Sequence, residues 1–182
     1  MFKQDYLGEI AMKKLLSVSA LVLSSTVLSN AVSAQPEILE DAYVGGGVSH
    51  NNLDFGSVVD GASDETANGF QIFVGKKFDN DISGFDTAVE IGYSQTEDFK
   101  WGPGAKDDVK GLWASAIMTR DLDEVSDKLY GFGRLGFNLG DDDGLMMGVG
   151  AGYELNDQVD LRAEFLNQDL VTSYQLSAIY KF

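Results

Sequence analysis

The stretch Tyr174-Gln-Leu-Ser-Ala-Ile-Tyr-Lys-Phe182 decides the fold of this chain. Counted back in twos from the last residue, one set of positions is apolar or aromatic and the intervening set is mostly polar. The first set comprises Phe182, Tyr180, Ala178, Leu176 and Tyr174, and the second comprises Lys181, Ile179, Ser177 and Gln175. A period of two indicates a β-strand with two different faces.

The composition of these two faces indicates what each one contacts. In a soluble protein, an exposed strand this rich in aromatic residues would promote edge-to-edge aggregation. In a membrane barrel, a strand turns its apolar face to lipid and its polar face to the lumen. The stretch therefore predicts a transmembrane β-strand.

The first part of the chain resembles a secretory leader. Met12-Lys-Lys-Leu-Leu16 is basic and then apolar, and the apolar run from Leu15 to Leu28 is too short to span a membrane as a helix. Ala31-Val-Ser-Ala34 has the small residues of a cleavage site. We expect translation to start at Met12, a leader and signal peptide within residues 1–34, cleavage after Ala34, and one barrel domain over residues 35–182.

The charge and composition exclude several classes of protein. The whole chain carries 29 acidic and 13 basic residues, for a formal net charge of −16, and it has no cysteine. Nucleic acid is excluded as an expected partner because its phosphates require a basic surface. Without a long apolar run after residue 34, we expect any membrane crossing to use a closed barrel, which pairs every backbone group in lipid.

Eight segments show the alternation expected of strands. They are residues 42–49, 69–78, 85–95, 109–121, 128–139, 145–155, 159–168 and 171–182. Their lengths suit strands that cross a bilayer at a tilt. The sequence therefore predicts an all-β protein, an eight-stranded antiparallel transmembrane β-barrel. In the fourth segment, the face with Trp113 and the face with Leu112 cannot be ranked.

The connections between these segments alternate in character. Residues 79–84, 123–127 and 156–158 are tight and turn-like, whereas residues 50–68 and 96–108 are long. Outer-membrane barrels place short turns in the periplasm and longer loops outside the cell. With eight strands, both termini of the barrel are expected on the periplasmic side.

A soluble barrel of the lipocalin kind is the alternative, and it would pack its apolar residues inward. Three features favour the inverted arrangement. The expected lumen face carries glycine, serine, glutamine and opposed charges, and aromatic residues lie near strand ends on the other face. In addition, no cysteine is present to staple an exported soluble domain.

Two glycine-rich segments add to the pattern of the C-terminal strand. Tyr130-Gly-Phe-Gly-Arg-Leu-Gly-Phe137 and Val149-Gly-Ala-Gly-Tyr153 resemble the middle strands of the small outer-membrane β-barrel proteins of the OmpA/OmpX-like superfamily. The resemblance covers residues 35–182 and implies a stand-alone barrel in the bacterial outer membrane. It further implies that the C-terminal strand is the signal read by the barrel-assembly machinery, through Tyr174, Leu176, Ala178, Tyr180 and Phe182.

Strand parity predicts a charged lumen. If Val89 and Ile91 face lipid, an ion-pair network of acids and two arginines lies inside, comprising Glu90, Arg134, Glu154, Arg162 and Glu164. Unpaired charges in a narrow interior are costly, so we expect these groups to pair and plug the lumen. A more specific interpretation is that this network gates the lumen or allows a small conductance. The simpler interpretation is that the buried polar groups only provide one another with hydrogen-bond and charge partners.

No constellation in the sequence favours catalysis. His50 is the single histidine, at the start of the first long loop, and it lacks the partner residues of the eight-stranded outer-membrane deacylases and acyltransferases. Asp141-Asp-Asp143 lacks the spacing of a calcium loop and is expected to be a solvated loop tip. We therefore predict no enzyme activity, no cofactor and no metal site.

The second long loop displays Phe99 and Trp101, which are candidate outer-loop contacts or members of an aromatic girdle. The predicted function is a structural or surface-interaction role of the adhesion type, through the outer loops. A narrow porin-like channel is the alternative, and a lipid-modifying enzyme is third. Expected partners are outer-membrane lipid and lipopolysaccharide, the assembly machinery, and a host or surface partner.

Overall fold

The computed structural model describes residues 40–53, 65–80, 82, 84–102, 105–169 and 171–182, with only the backbone for 100–102, 105 and 106. The predicted leader and cleavage site lie outside the described residues. The strands are β1 (Ala42–Leu53), β2 (Glu65–Phe78), β3 (Asp86–Thr96), β4 (Phe99–Gly102), β5 (Ala105–Asp107), β6 (Lys110–Asp121), β7 (Leu129–Gly140), β8 (Gly144–Asn156), β9 (Val159–Asn167) and β10 (Val171–Lys181).

Eight of these strands form one closed antiparallel barrel in the order β1-β10-β9-β8-β7-β6-β3-β2. The closing pair is β1 with β10, in register from Tyr43 opposite Lys181 to Leu53 opposite Val171. Closure pairs the backbone of the C-terminal strand on both of its sides, which removes the exposed edge that the strand would otherwise present. The predicted eight-stranded antiparallel barrel is confirmed.

Two features of the strands differ from the sequence prediction. β1 and β2 extend into the predicted first loop, because Asn51 and Leu53 continue the inward alternation and pair with residues of β10 and β2. The connection between β3 and β6 contains a separate hairpin, β4–β5, that was expected to be loop. Short hairpins of this kind carry too few residues for their alternation to be recognised.

The connections define two ends of the barrel. At the turn end lie the connections β2–β3, β6–β7 and β8–β9, together with the start of β1 and the end of β10. At the loop end lie the connections β1–β2, β3–β6, β7–β8 and β9–β10. Among the described residues, no helix is long and apolar enough to cross a membrane.

Side chains alternate between an outward apolar face and an inward face along every barrel strand. In β9, Leu161 and Phe165 are exposed, whereas Arg162 and Glu164 are buried. In β6, Trp113 and Ile117 face the lumen and Leu112 faces outward, which ranks the two faces that the sequence left open.

The lumen is less polar than the sequence analysis expected. A buried apolar cluster includes Tyr43, Phe73, Ala88, Trp113, Ile117, Tyr130, Phe132, Met146, Leu166 and Ile179. The expected glycine, serine, glutamine and charged residues share the lumen face with these aromatic and aliphatic side chains, because an eight-stranded barrel is narrow enough for side chains to fill it.

Five of the lumen rings lie opposite a glycine on the neighbouring strand. The pairs are Tyr43–Gly75, Phe73–Gly45, Trp113–Gly92, Tyr130–Gly152 and Phe132–Gly150. In each pair, a Cβ added to the glycine would collide with the ring. The missing side chain lets the ring cover the neighbouring backbone, which explains why glycine is frequent in these strands.

Candidate lumen network and outer surface

Glu90 on β3 is the centre of the charged lumen. None of its surface is exposed, and its Oε1 accepts a hydrogen bond from the Tyr43 hydroxyl at 2.7 Å. The same oxygen lies 2.6 Å from Nη1 of Arg162, and Oε2 lies 2.9 Å from Nη2 of Arg134. One carboxylate thus joins β1, β3, β7 and β9 across the interior.

Arg134 on β7 is held on three sides. Its Nε and Nη2 donate to the two carboxylate oxygens of Glu164, at 2.6 and 3.0 Å, in a two-pronged pair. Its Nη1 donates to the Ser115 hydroxyl at 3.1 Å, and its guanidinium lies 4.9 Å from the centre of the Trp113 ring. Arginine suits this position because its planar fork matches a carboxylate and its face stacks on an aromatic ring.

Arg162 on β9 connects the Glu90 centre to the turn end. Its Nε donates to the Tyr130 hydroxyl at 3.1 Å, and that hydroxyl donates to Asp160 Oδ2 at 3.2 Å. Its guanidinium also lies 5.0 Å from the centre of the Phe132 ring. The aromatic rings that cover the glycines therefore also confine this cation.

Lys181 forms the turn-end part of the network. Its Nζ lies 2.8 Å from Glu154 Oε1 and 2.9 Å from Asp160 Oδ1. Glu154 was grouped with the arginines in the sequence analysis, but its partner here is Lys181. Asp160, Tyr43 and Tyr130 are members that the sequence analysis did not single out, although the parity of β9 places Asp160 on the same face as Arg162.

Uncharged polar side chains also line the lumen, on β1, β2 and β10. The Gln71 amide donates to Gln175 Oε1 at 2.7 Å and to the Ser177 hydroxyl at 3.0 Å. Ser173 donates to Asn51 Oδ1 at 2.5 Å. These contacts join β1, β2 and β10, and Gln175 and Ser177 lie opposite Glu164 and Arg162 in the strand register.

Phe99 on β4 closes the loop end of the lumen. It is wholly buried against the inward-facing residues Leu53, Ala67 and Val171, with Val109 beside them. The prediction that Phe99 is a displayed outer-loop contact is wrong, because the hairpin carries this ring into an apolar cluster at the barrel mouth. The side chain of Trp101 lies outside the described residues.

The loop-end surface is acidic. Its described acids are Glu65, Glu97, Asp98, Asp107, Asp108, Asp141, Asp143 and Asp169. Hydrogen bonds from the Lys110 ammonium and from the Gln95 amide lower the pKa of Asp108. Among the described residues, no group of three or more histidine, aspartate or glutamate side chains is arranged to hold a metal ion.

The closed barrel, its apolar exterior and its filled lumen agree with a match to a known family. Residues 19–182 match the family described as outer membrane protein beta-barrel domain. The chain belongs to this family. The resemblance to small outer-membrane barrels is thereby confirmed, and the protein is an outer-membrane β-barrel of a bacterium.

In this family, the outward apolar face contacts lipid. All five residues of the predicted assembly strand lie on this outward face of β10 or directly after it. They include Tyr174, which packs edge-on against Phe165 at 5.3 Å, and Tyr180, which packs edge-on against Phe182 at 5.5 Å. This placement gives the outward face of the C-terminal strand an aromatic residue toward each of its ends.

Solved structures of outer-membrane barrels share this architecture. Ail, the attachment invasion locus protein of Yersinia pestis, aligns with a TM-score of 0.54 and 16% identity, covering 79% of this chain and 99% of Ail. Neisserial surface protein A (NspA) aligns with a TM-score of 0.53 and 20% identity, covering 79% of this chain and 98% of NspA. At these identities the likeness shows the fold alone. A search of curated proteins finds no match.

Proposed function

We propose that this protein is a closed outer-membrane barrel that serves a structural or surface-interaction role of the adhesion type, through its loop end. The supporting observation is the filled lumen. The Glu90 carboxylate is wholly buried between two arginines, and wholly buried Phe99 packs into the mouth above it. A lumen filled at both levels favours function on the outer surface.

The proposed orientation places the loop end outside the cell. The two longest connections, β1–β2 and β3–β6, both lie at the loop end, and the second of them contains the β4–β5 hairpin, whereas no turn-end connection exceeds seven residues. Barrels of this family keep short turns in the periplasm. Export is proposed to use the signal peptide cleaved after Ala34, followed by insertion by the barrel-assembly machinery.

The charge of the loop end limits the partners that we propose. Ail has been solved with the heparin analogue sucrose octasulfate. The described loop-end surface of this chain is rich in carboxylates, which repel a polysulfated ligand. A cationic surface on a host or another partner, or lipopolysaccharide bridged by divalent cations, is the more compatible contact.

A narrow channel is the second candidate. The observation that favours it is the continuous chain of charged and hydroxyl groups from Lys181 through Asp160, Tyr130 and Arg162 to Glu90. Movement of one arginine would open a polar path past Glu90. The tight pairing of both arginines supports the closed form instead.

We further propose that the protein is not an enzyme. Nδ1 of His50 lies 3.2 Å from Asn68 Oδ1, an amide that supplies neither the orienting acid nor the nucleophile of a hydrolytic set. This pairing supports a non-catalytic role for the histidine.

Planar-bilayer recording tests the plug. We expect the refolded wild-type protein to give no discrete current steps. A variant with Arg134→Ala, Glu164→Ala and Phe99→Ala removes a charge-balanced pair and the mouth ring together, and should conduct. Leu135→Ala with Leu139→Ala, on the lipid-facing side of β7, is the matched control and should remain silent. Reproducible steps from the wild type would favour the channel.

A cell-attachment assay tests the surface role. We expect bacteria that express the protein to attach to epithelial cells in greater number than bacteria that lack the protein. Replacement of residues 97–108 by a glycine–serine linker should reduce attachment, because it alters the loop end. Ile82→Ser with Val125→Ser changes exposed turn-end residues and should have no effect. Equal attachment by all strains would contradict the proposal.

A further inference from the structure

We propose that a groove on the lipid-facing surface, near the loop end, binds one glycolipid molecule through an amide-linked acyl chain. The groove has a volume of about 740 Å³ and crosses β2, β1, β10 and β9. This volume lies in the range of small-molecule sites, about 300–1,000 Å³. The site deepens the proposed lipid partnership, and its assignment to the outer leaflet rests on the proposed orientation.

Two rows of outward-facing residues form the groove. The row nearer the loop end runs through Asn68, His50, Tyr174 and Phe165, which are opposite one another in the strand register. The next row toward the turn end runs through Val48, Leu176 and Ala163. The groove is therefore polar at its loop-end edge and apolar below it. The small side chain of Ala163 leaves room between the larger ones.

The polar edge offers one hydrogen-bond acceptor beside one donor. Asn68 Oδ1 can only accept, so Nδ1 of neutral His50 donates across the 3.2 Å contact. Nε2 of His50 is then an acceptor, and the Asn68 amide nitrogen is a donor. Both residues are exposed on the outside of the barrel, at the level where the lipid-facing band ends.

This donor–acceptor pair matches an amide linkage. An amide supplies an N–H to Nε2 of His50 and a carbonyl oxygen to the Asn68 nitrogen. The ester linkages of a phospholipid supply acceptors only, and they leave Nε2 of His50 without a donor. A neutral hydrogen-bonding edge also avoids any need for basic residues on this acidic chain.

The groove is continuous with the face that already contacts lipid. Val48 and Leu176 are among the exposed apolar side chains of that face, and the ring of Tyr174 stands beside them. An acyl chain held by its amide at the polar edge would run toward the turn end and cross the row formed by Val48, Leu176 and Ala163. Tyr174 and Phe165 sit at the polar boundary, where aromatic side chains are favoured.

The single histidine makes the test direct. Protein labelled with ¹⁵N-histidine in phospholipid nanodiscs has one imidazole spin system in residues 35–182, from His50. We expect titration with rough lipopolysaccharide to shift its nitrogen signals in a saturable way. Phosphatidylglycerol at equal charge should leave them in place. Asn68→Leu should weaken binding about fivefold to tenfold, through loss of one hydrogen bond.

A groove-filling variant separates specific binding from general lipid contact. Ala163→Phe occupies the apolar part of the groove while leaving His50 and Asn68 intact, and it should abolish the saturable shift. Ala114→Phe is the matched control on the opposite wall of the barrel, and it should bind like the wild type. Heat-dependent gel migration checks that each variant is folded.

Two results would overturn this inference. One is an equal His50 shift with phosphatidylglycerol, and the other is unchanged binding by Ala163→Phe. A nanodisc exposes both ends of the barrel to added lipid, so binding is measured whichever end faces out of the cell. The readout involves neither conductance nor attachment, so this measurement stands even if the proposed surface role is wrong.

Discussion

Arg162 Nη1 lies 2.6 Å from Oε1 of Glu90, a carboxylate with no exposed surface. The two residues are 72 positions apart and come from strands on different sides of the barrel. Their contact spans the lumen, which no strand-to-strand hydrogen bond can do. It makes Glu90 the residue on which closure of the interior depends.

Glu90→Gln should be strongly destabilising although it preserves shape. The amide removes the negative charge that Arg134 and Arg162 share, and leaves buried positive charge without compensation. A loss of about 3–5 kcal/mol in the free energy of unfolding is expected. Urea titration in lipid vesicles, followed by heat-dependent gel migration, measures it. Asp157→Asn, in an exposed turn, is the control. Equal midpoints for Glu90→Gln and the wild type would show that the network is not buried.

Arg134 and Glu164 should be energetically coupled. Each single change to Met leaves a buried charge unpaired, whereas the double change removes both charges together. The double variant should therefore be more stable than the sum of the single effects predicts, by about 1–3 kcal/mol. A double-mutant cycle from urea unfolding gives this number. Simple additivity would mean that the two-pronged pair contributes nothing measurable.

Gly152→Ala should disturb the Tyr130 ring. The added Cβ would collide with that ring, and displacement of the ring would weaken its hydrogen bonds with Arg162 and Asp160. A cost of about 1–3 kcal/mol is expected for such overpacking. In Gly133→Ala, no described atom lies within 4 Å of the new Cβ. If Gly133→Ala lowered the unfolding midpoint as much as Gly152→Ala does, the proposed ring–glycine packing would be contradicted.

The assembly role that we propose for the C-terminal strand predicts a difference between cells and detergent. Tyr180→Ser with Phe182→Ser should lower the amount of folded barrel in the outer membrane several-fold. Refolding of the same variant in detergent should be nearly normal, because these side chains face outward. Tyr153→Ser removes an exposed aromatic side chain from β8 and should assemble normally. An equal loss of folded barrel from the outer membrane in both variants would indicate that assembly depends on outward aromatic residues in general and not on the C-terminal strand.

The proposed cleavage of the leader predicts the mass of the exported protein. Cleavage after Ala34 should leave Gln35 as the first residue, which intact-mass measurement of protein from outer membranes detects directly. Ala34→Leu should slow processing, because the cleavage site requires small residues. A mature chain that begins elsewhere would contradict the predicted boundary.

The barrel and the facing of most strands followed from the alternation in the chain. In β3 and β9 the apolar side chains recur every second residue, because each strand divides lipid from a filled lumen. The alternation also placed Glu90, Arg134, Arg162 and Glu164 on the inward side. It could not identify their partners, since parity assigns a side chain to a face and not to a neighbour across the barrel.

The sequence by itself determined the eight barrel strands, the facing of most of them and the acidic, cysteine-free composition, because these depend on local periodicity and residue type. Tertiary structure alone decided that Lys181 pairs with Glu154 and that Phe99 is buried. It also decided that five of the lumen rings cover glycines. These contacts depend on strand register and on closure of β10 against β1, which bring together residues far apart in the chain.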